Sequence, residues 1–467
     1  MSNSPEYFIP DERFTFCIRN FARAKPFSSF LPGIAGLDGI PMWAFYTNRG
    51  QCISSFGIES KDGAILEFHA ANKAYNLTAT RGFRTFLNWK RGEESGFKEF
   101  FSSEQAETLM KIRPYEIEIE ETDATTGFDI RISYFTVPGQ PCAMFARIVT
   151  LTNTGRDPAV VEMLDGLPNI NCFGMLENFL KNMSRTIEAW AFAENLERNA
   201  PFLHIQAMND DKPDVVKIDR GNFFLHFTED KGRTRMCLPV INPQAVFGMD
   251  TGFRHPEIFA DGRTQSSDPL MFVNRTPCAM GISNFTLGSG MSRTVFSIFG
   301  NSENLSVLNS MLGRISSPEF VTSSREDNRR IILDIADKCF VKSSSPAFDS
   351  YCGQNFIDNV LRGGLPVSIR SAKGEKRDVI HVYSRKHGDP ERDYNSFLIM
   401  PTFYSQGNGG YRDINQNRRN DVFCNPDVLE SNIEYFLSLI QLDGYNPLVV
   451  KGVSYRFESS GDNRRFL

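Results

Sequence analysis

No apolar run in this chain approaches the ~20 residues of a membrane span. Its first residues, Met1 to Arg13, have neither the basic stretch nor the apolar core of a signal peptide, so a cytoplasmic protein is expected. Nine cysteines are scattered singly from Cys17 to Cys424, with no C-x-x-C pair and no Cys/His cluster. That pattern argues against a zinc site and against a disulfide framework, and fits reduced thiols. No metal and no cofactor is called for. Nucleophile signatures such as G-x-S-x-G are absent. The net charge is −5 with both signs mixed throughout, and no basic patch points to nucleic acid. No internal repeat or low-complexity tract stands out.

The chain has 467 residues, too many for one ordinary domain, so two or three are expected. Phenylalanine is plentiful at 41 residues, as expected of β-sandwich cores, which favour aromatic and β-branched side chains. Residues 1 to about 20 read as an irregular lead-in. Met42-Trp43-Ala44-Phe45-Tyr46 and Gln51 to Ile58 read as strands joined at Asn48-Arg49-Gly50, with a third at Ala64 to Phe68. From Arg113 to Gly300 the period is two. Tyr115 to Glu120 and Phe128 to Phe135 alternate cleanly, and Cys142–Thr152, Val160–Leu164, Phe202–Met208, Asn222–Thr228 and Thr294–Phe299 continue the pattern. Many antiparallel strands in succession predict a large β-sandwich. Met175 to Ala200 has helical spacing and reads as an excursion.

Past Gly300 the period lengthens. Glu303 to Ile315 and Arg325 to Cys339 repeat apolar residues at three and four, the second opening on a capping box at Ser324 and Asp327. Lys342-Ser343-Ser344-Ser345-Pro346 breaks the chain. Beyond it Phe348, Cys352, Phe356 and Val360 mark a helix ending at Gly363-Gly364, and Asp427 to Leu442 a further helix capped at Asn425.

One stretch is dense in hydrogen-bonding side chains. Tyr404 to Asp421 reads Y-S-Q-G-N-G-G-Y-R-D-I-N-Q-N-R-R-N-D, and three glycines deliver Tyr411, Arg412, Asp413, Asn415, Gln416 and Asn417. Planar and bidentate groups suit a ligand covered in hydroxyls, because each sugar hydroxyl both donates and accepts. The alternative is a polar surface loop. Apolar flanks, Phe397 to Met400 and Val428 to Leu442, favour a polar cluster held inside a fold.

G-Y-R-D-I-N-Q-N resembles the G-[FY]-R-D-x-x-Q-D signature of glycoside hydrolase family 94, the cellobiose phosphorylase family. With N-R-R-N-D following, it is most similar to the 1,2-β-oligoglucan phosphorylase branch. Leu31 to Gln51 and Phe356 to Ile369 extend the likeness. One departure is Asn417, which stands where the signature ends in Asp. The resemblance implies a multidomain chain, β then α. Its parts would be an N-terminal β-rich region (1–112), a large antiparallel β-sandwich or supersandwich (113–300), linker helices (301–345) and the start of an (α/α)6 barrel (346–467). Pro346 to Leu467 is too short for twelve helices of ~11–12 residues with their loops, so the barrel would be incomplete in this chain.

The implied reaction is inverting phosphorolysis of a β-1,2-linked glucan by inorganic phosphate, with no nucleic acid or membrane partner. Two other readings stay open at this point: a related glycoside hydrolase of (α/α)6 type, and a carbohydrate-binding β-sandwich protein without catalysis. An acid protonates the leaving oxygen and phosphate attacks the opposite face. In the family the acid belongs to a W-N-D-like motif. The three tryptophans here are followed by alanine, lysine and alanine, so no catalytic residue is assigned. Substrate binding is assigned to Arg412, Asp413, Gln416 and Asn417, with Arg412 directing its planar fork at vicinal hydroxyls. Asp413 either joins the pocket or orients Arg412. Asp393 and Asp421 read as surface carboxylates, and His381 and His387 as ordinary polar packing.

Overall fold

The computed structural model describes residues 4–103, 106–208, 213–230, 232–264, 275–370, 377–386, 396–403 and 405–452. His387, Asp393 and Tyr404 lie outside the described residues.

The alternating segments form strands and pair antiparallel. The largest sheet has eleven strands among the described residues, and its centre runs Ile117–Asp123, Phe128–Val137, Ala143–Asn153, Ser292–Ser302, Gly221–Asp230. Five strands, with Ala159–Leu167 at their centre, make a second sheet. Ser28–Leu31, Trp43–Thr47, Ile53–Ile58 and Gly63–Leu66 make a third. One continuous core joins all three: Phe145, Val149 and Phe299 of the large sheet meet Leu87, Val161 and Met163 of the second and Ile53, Phe56 and Ile65 of the third. This is a β-sandwich.

Its other face is dry too. Leu308, Met311 and Ile315, one stripe of the Leu305–Ile315 helix, pack on Phe135, Met144, Phe223, Leu225 and Ile298 of the large sheet. Alternation therefore fades in the second half of Phe128–Val137, where every side chain is buried.

The turn at Asn48-Arg49-Gly50 forms as the sequence predicts. Gly50 has φ 51°, and a Cβ there would sit 2.7 Å from the Ala79 Cα, so both conformation and space demand glycine. The Pro346–Gly363 helix also matches. The Ser345 side chain caps Phe348 N, and Gly364 ends the helix at φ 91°.

Several expectations are corrected. The lead-in is partly ordered: Glu6–Phe8 and Phe16–Arg19 extend the large sheet, because Cys17 and Ile18 are apolar enough to bury. Ala71–Arg81 is a helix within the early strand-rich region. Met175–Ala200 is broken into the Glu177–Asn182 helix, a 3-10 turn and the Ala191–Glu194 strand. The second linker helix begins at Pro318, one turn and more before the expected start, because Ser317 caps Phe320 N (3.1 Å) and Pro318 suits the first position. Ser324 is buried mid-helix and caps nothing. Asp427–Leu442 is interrupted at Leu429, whose φ of 46° cannot continue a helix, and only Ser431–Ser438 is α-helical. Beyond Ser345 the chain is not wholly helical either: Leu365–Arg370 and Arg377–Val382 are strands paired antiparallel. All nine cysteines are unpaired. Among the described residues no helix is long and apolar enough to cross a membrane.

His226 gives the sandwich a pH dependence. It is 2% exposed and its Nδ1 lies 2.7 Å from Ser297 Oγ. Burial pushes its pKa from 6.5 down to about 4, while nearby Asp165 pulls up and Arg147 pushes down. The fold therefore holds the neutral ring, whereas the unfolded chain takes up a proton near 6.5. Stability is full above that pH and drains as pH falls toward 4, by about 3 kcal/mol from this group. His381, also lowered by burial, acts in the same direction. Urea midpoints at pH 7 and 4.5 should show the loss, and His226→Gln should make it smaller.

Candidate functional site

The three stretches that carry the family likeness, far apart in sequence, meet in space. The Arg385 guanidinium, buried, donates to the Pro32 carbonyl, and its backbone N donates to Leu361 O (2.9 Å). Phe397 packs edge-on against Trp43 (5.1 Å) and Phe45 (5.6 Å). Arg418 Nε donates to Gly363 O at 2.6 Å. Glycine permits this convergence. A Cβ on Gly407 would lie 2.2 Å from the Leu398 carbonyl oxygen and 2.8 Å from the Arg385 Cα.

Gly409-Gly410 pairs with Val449-Val450, and the chain then turns into the Tyr411–Arg418 helix. Ile414 and Arg418, four apart, form its buried side, with Ile414 packed on Phe436 and Val450. Tyr411 OH donates to Phe436 O (3.0 Å). The outer side carries the predicted sugar-binding residues. Arg412 is 89% exposed and Asp413 55%, with Nη2 and Oδ1 3.3 Å apart. Gln416 is exposed beside them. Asn417 is half-buried and its Nδ2 donates to Asp413 O (2.6 Å), closing on its own helix. The structure thus brings Arg412, Asp413 and Gln416 to one open surface and turns Asn417 partly away.

A cavity of about 510 Å³ opens behind this helix, lined by His381, Gln406, Arg418, Asn432, Glu434 and Tyr435 among others. None of the four predicted residues is in that lining. His381 in its lining has a partner behind the wall that local sequence reasoning missed. His381 Nε2 lies 2.7 Å from Asp421 Oδ2, and the same oxygen accepts from Asn432 Nδ2 at 2.8 Å. Asp421 is 7% exposed, which corrects its reading as a surface carboxylate. Burial lowers the His381 pKa against the opposing pull of Asp421, so a neutral ring donating from Nε2 is the form the site favours. Such a ring presents Nδ1 as an acceptor. His381 and Asp421 stand forty residues apart, and nothing in the local pattern marks them as partners. Asn432 and Tyr435 carried no signal beyond their helix. Among the described residues no group of three or more His, Cys, Asp or Glu side chains is placed to hold a metal ion.

Chemically, this region is a rigid helix presenting planar donors and acceptors to solvent, backed by a polar cavity. It suits hydrogen bonding to a polyhydroxylated ligand.

No family model and no curated protein matches the chain. Solved structures that overlay it include carbohydrate-active enzymes at low identity. A bacterial glucoamylase complexed with acarbose aligns at 11% identity over 91% of this chain and 51% of its own, with a TM-score of 0.39. A protein described as a kojibiose phosphorylase from the human microbiome aligns at 8% over 76% and 33%, TM-score 0.25. A family GH92 inverting mannosidase from Bacteroides thetaiotaomicron aligns at 9% over 77% and 39%, TM-score 0.30. The chain spans about a third to a half of the length of these proteins, and overlap this loose carries no argument about its activity.

Proposed function

We propose that this chain serves an inverting carbohydrate phosphorylase that cleaves β-1,2-linked gluco-oligosaccharides with inorganic phosphate to give α-glucose 1-phosphate. In this reading the chain supplies sugar recognition, and the catalytic acid is not among its residues. The observation that supports the reading is the chain of contacts linking the three stretches: Arg385 bridges Pro32 and Leu361, and Arg418 of the polar helix binds Gly363. Arg412 addresses vicinal hydroxyls, Asp413 holds the guanidinium or accepts from the sugar, and Gln416 and Asn417 complete the contact. The four-part division at 112, 300 and 345 belongs to the same proposal. So does the (α/α)6 barrel, whose further helices would cover apolar side chains now exposed: Phe348, Tyr351, Phe423, Ile433 and Leu437.

Incubating the purified chain with β-1,2-gluco-oligosaccharides and phosphate tests the reading. The expected result is saccharide binding without glucose 1-phosphate, because an alkoxide leaving unprotonated forfeits the ~10²–10⁴-fold of general acid catalysis. Release above a heat-killed control would place the acid within the chain, with Asp393, Asp413 and Asp421 the first candidates. Absence of binding would overturn the proposed function itself.

A further inference from the structure

A second cavity, of about 400 Å³, lies on the β-sandwich, away from the Tyr411–Arg418 helix. Its volume is within the ~300–1,000 Å³ of small-molecule sites. The floor is the segment that follows the Ala159–Leu167 strand. That segment is held firmly: Ile170 N donates to Pro277 O (2.9 Å), Asn171 N to Ile65 O (2.9 Å), and Asn171 O accepts from Asn222 Nδ2 (2.9 Å).

Two side-chain atoms on this floor have no partner among the described residues. They are Asn169 Oδ1 and Asn171 Nδ2, on residues 6% and 2% exposed, and both residues line the cavity. A buried polar atom left unmade costs about 1–3 kcal/mol. The orphans are one acceptor and one donor, the two roles a sugar hydroxyl also plays.

The rim is charged but not cationic. Glu67 follows the Gly63–Leu66 strand, Glu188 accepts from Thr276 Oγ1 (3.0 Å), and Asp250 lies in the lining loop. Against these three carboxylates stand two guanidiniums, Arg81 and Arg275. Arg81 lies over the Phe253 ring at 5.0 Å. An excess of negative charge disfavours phosphates and uronic acids, while carboxylates and guanidiniums together hydrogen-bond neutral hydroxyls well.

We propose that this cavity is a separate binding site for a neutral saccharide, read through its hydroxyls by Asn169 and Asn171 and bounded by Glu67, Glu188, Arg81 and Arg275. The site stands independently of the Arg412 motif.

The test uses the Arg412→Ala chain, in which the helix surface is disabled. Glucose, mannose, galactose and β-1,2-linked glucotriose are each titrated by calorimetry. Saturable binding of at least one is expected to remain, and to weaken about tenfold or more in Arg412→Ala/Asn171→Leu. Replacing an orphaned amide by leucine should leave the melting temperature unchanged or higher, which separates lost binding from lost folding. Should that variant not fold, Glu188→Gln on the rim is expected to weaken binding in the same background. No residual binding of any sugar by the Arg412→Ala chain, or residual binding indifferent to both substitutions, would overturn the site. A residual that Asn171→Leu removes, in a chain where Arg412→Ala itself changes nothing, would instead sink the helix reading and leave this one standing.

Discussion

Asp165→Ala is expected to destabilise the sandwich by about 3–5 kcal/mol, the range for removing one partner of a buried ion pair. Asp165 sits on the Ala159–Leu167 strand of the second sheet and Arg147 on the Ala143–Asn153 strand of the large one. Arg147 is fully buried, yet all of its nitrogens are used. Nε and Nη2 reach Asp165 at 3.1 and 2.7 Å, and Nη2 also reaches Gln51 Oε1 (2.6 Å) and Thr85 Oγ1 (2.8 Å), while Nη1 donates to Tyr134 OH. The guanidinium lies over the rings of Phe83 and Tyr134 at 4.9 and 5.1 Å. Alanine at 165 would strand a cation between sheets with only neutral acceptors. The paired replacement Arg147→Met/Asp165→Leu removes both charges and should cost less than Asp165→Ala alone. Urea unfolding of the three proteins measures this. A loss below about 1 kcal/mol for Asp165→Ala would mean that water reaches the pair.

That network also shows where the sequence stops being legible. Strand identity was readable because period two is local: Phe128–Val137 and Ser292–Ser302 are strands where the alternation puts them. The Pro346–Gly363 helix was readable because Ser345, Pro346 and Gly364 punctuate it locally. Pairing partners are not local. Nothing near Arg147 names Asp165, and nothing near His381 names Asp421. The same limit explains the reading of Asp421 as a surface residue: its burial depends on Asn432 and His381 arriving from other elements. The paired strands Leu365–Arg370 and Arg377–Val382 were missed although Leu365, Val367 and Ile369 alternate, because helical order was expected there. In the Gly409–Asp421 motif the residue types were informative while the conformation was not. Ile414 and Arg418 recur at four, the spacing of a helix with one buried side, yet the stretch reads as a polar cluster held inside the fold, where the structure has an exposed helix surface.

The second large effect concerns Arg412. Because its side chain is 89% exposed and, among the described residues, pairs with Asp413, Arg412→Ala should leave stability within about 0.5 kcal/mol. Its effect on sugar affinity should be far greater. Hydrogen bonds to a charged group are worth about 1.5–3 kcal/mol, so losing the fork should weaken the helix site roughly 10–100-fold. Arg412→Lys keeps the charge without the planar pair of donors and should fall between the two. Arg419→Ala, an exposed neighbour outside the assigned set, is the charge-matched control and should change nothing.

The most direct test of the account is calorimetric titration of β-1,2-linked glucotriose into the wild-type, Arg412→Ala and Arg419→Ala chains under one set of conditions. The account predicts saturable binding to the wild type and to Arg419→Ala, with a component at least about tenfold weaker in Arg412→Ala. No binding by the wild type, or wild-type and Arg412→Ala isotherms that superpose, would contradict it.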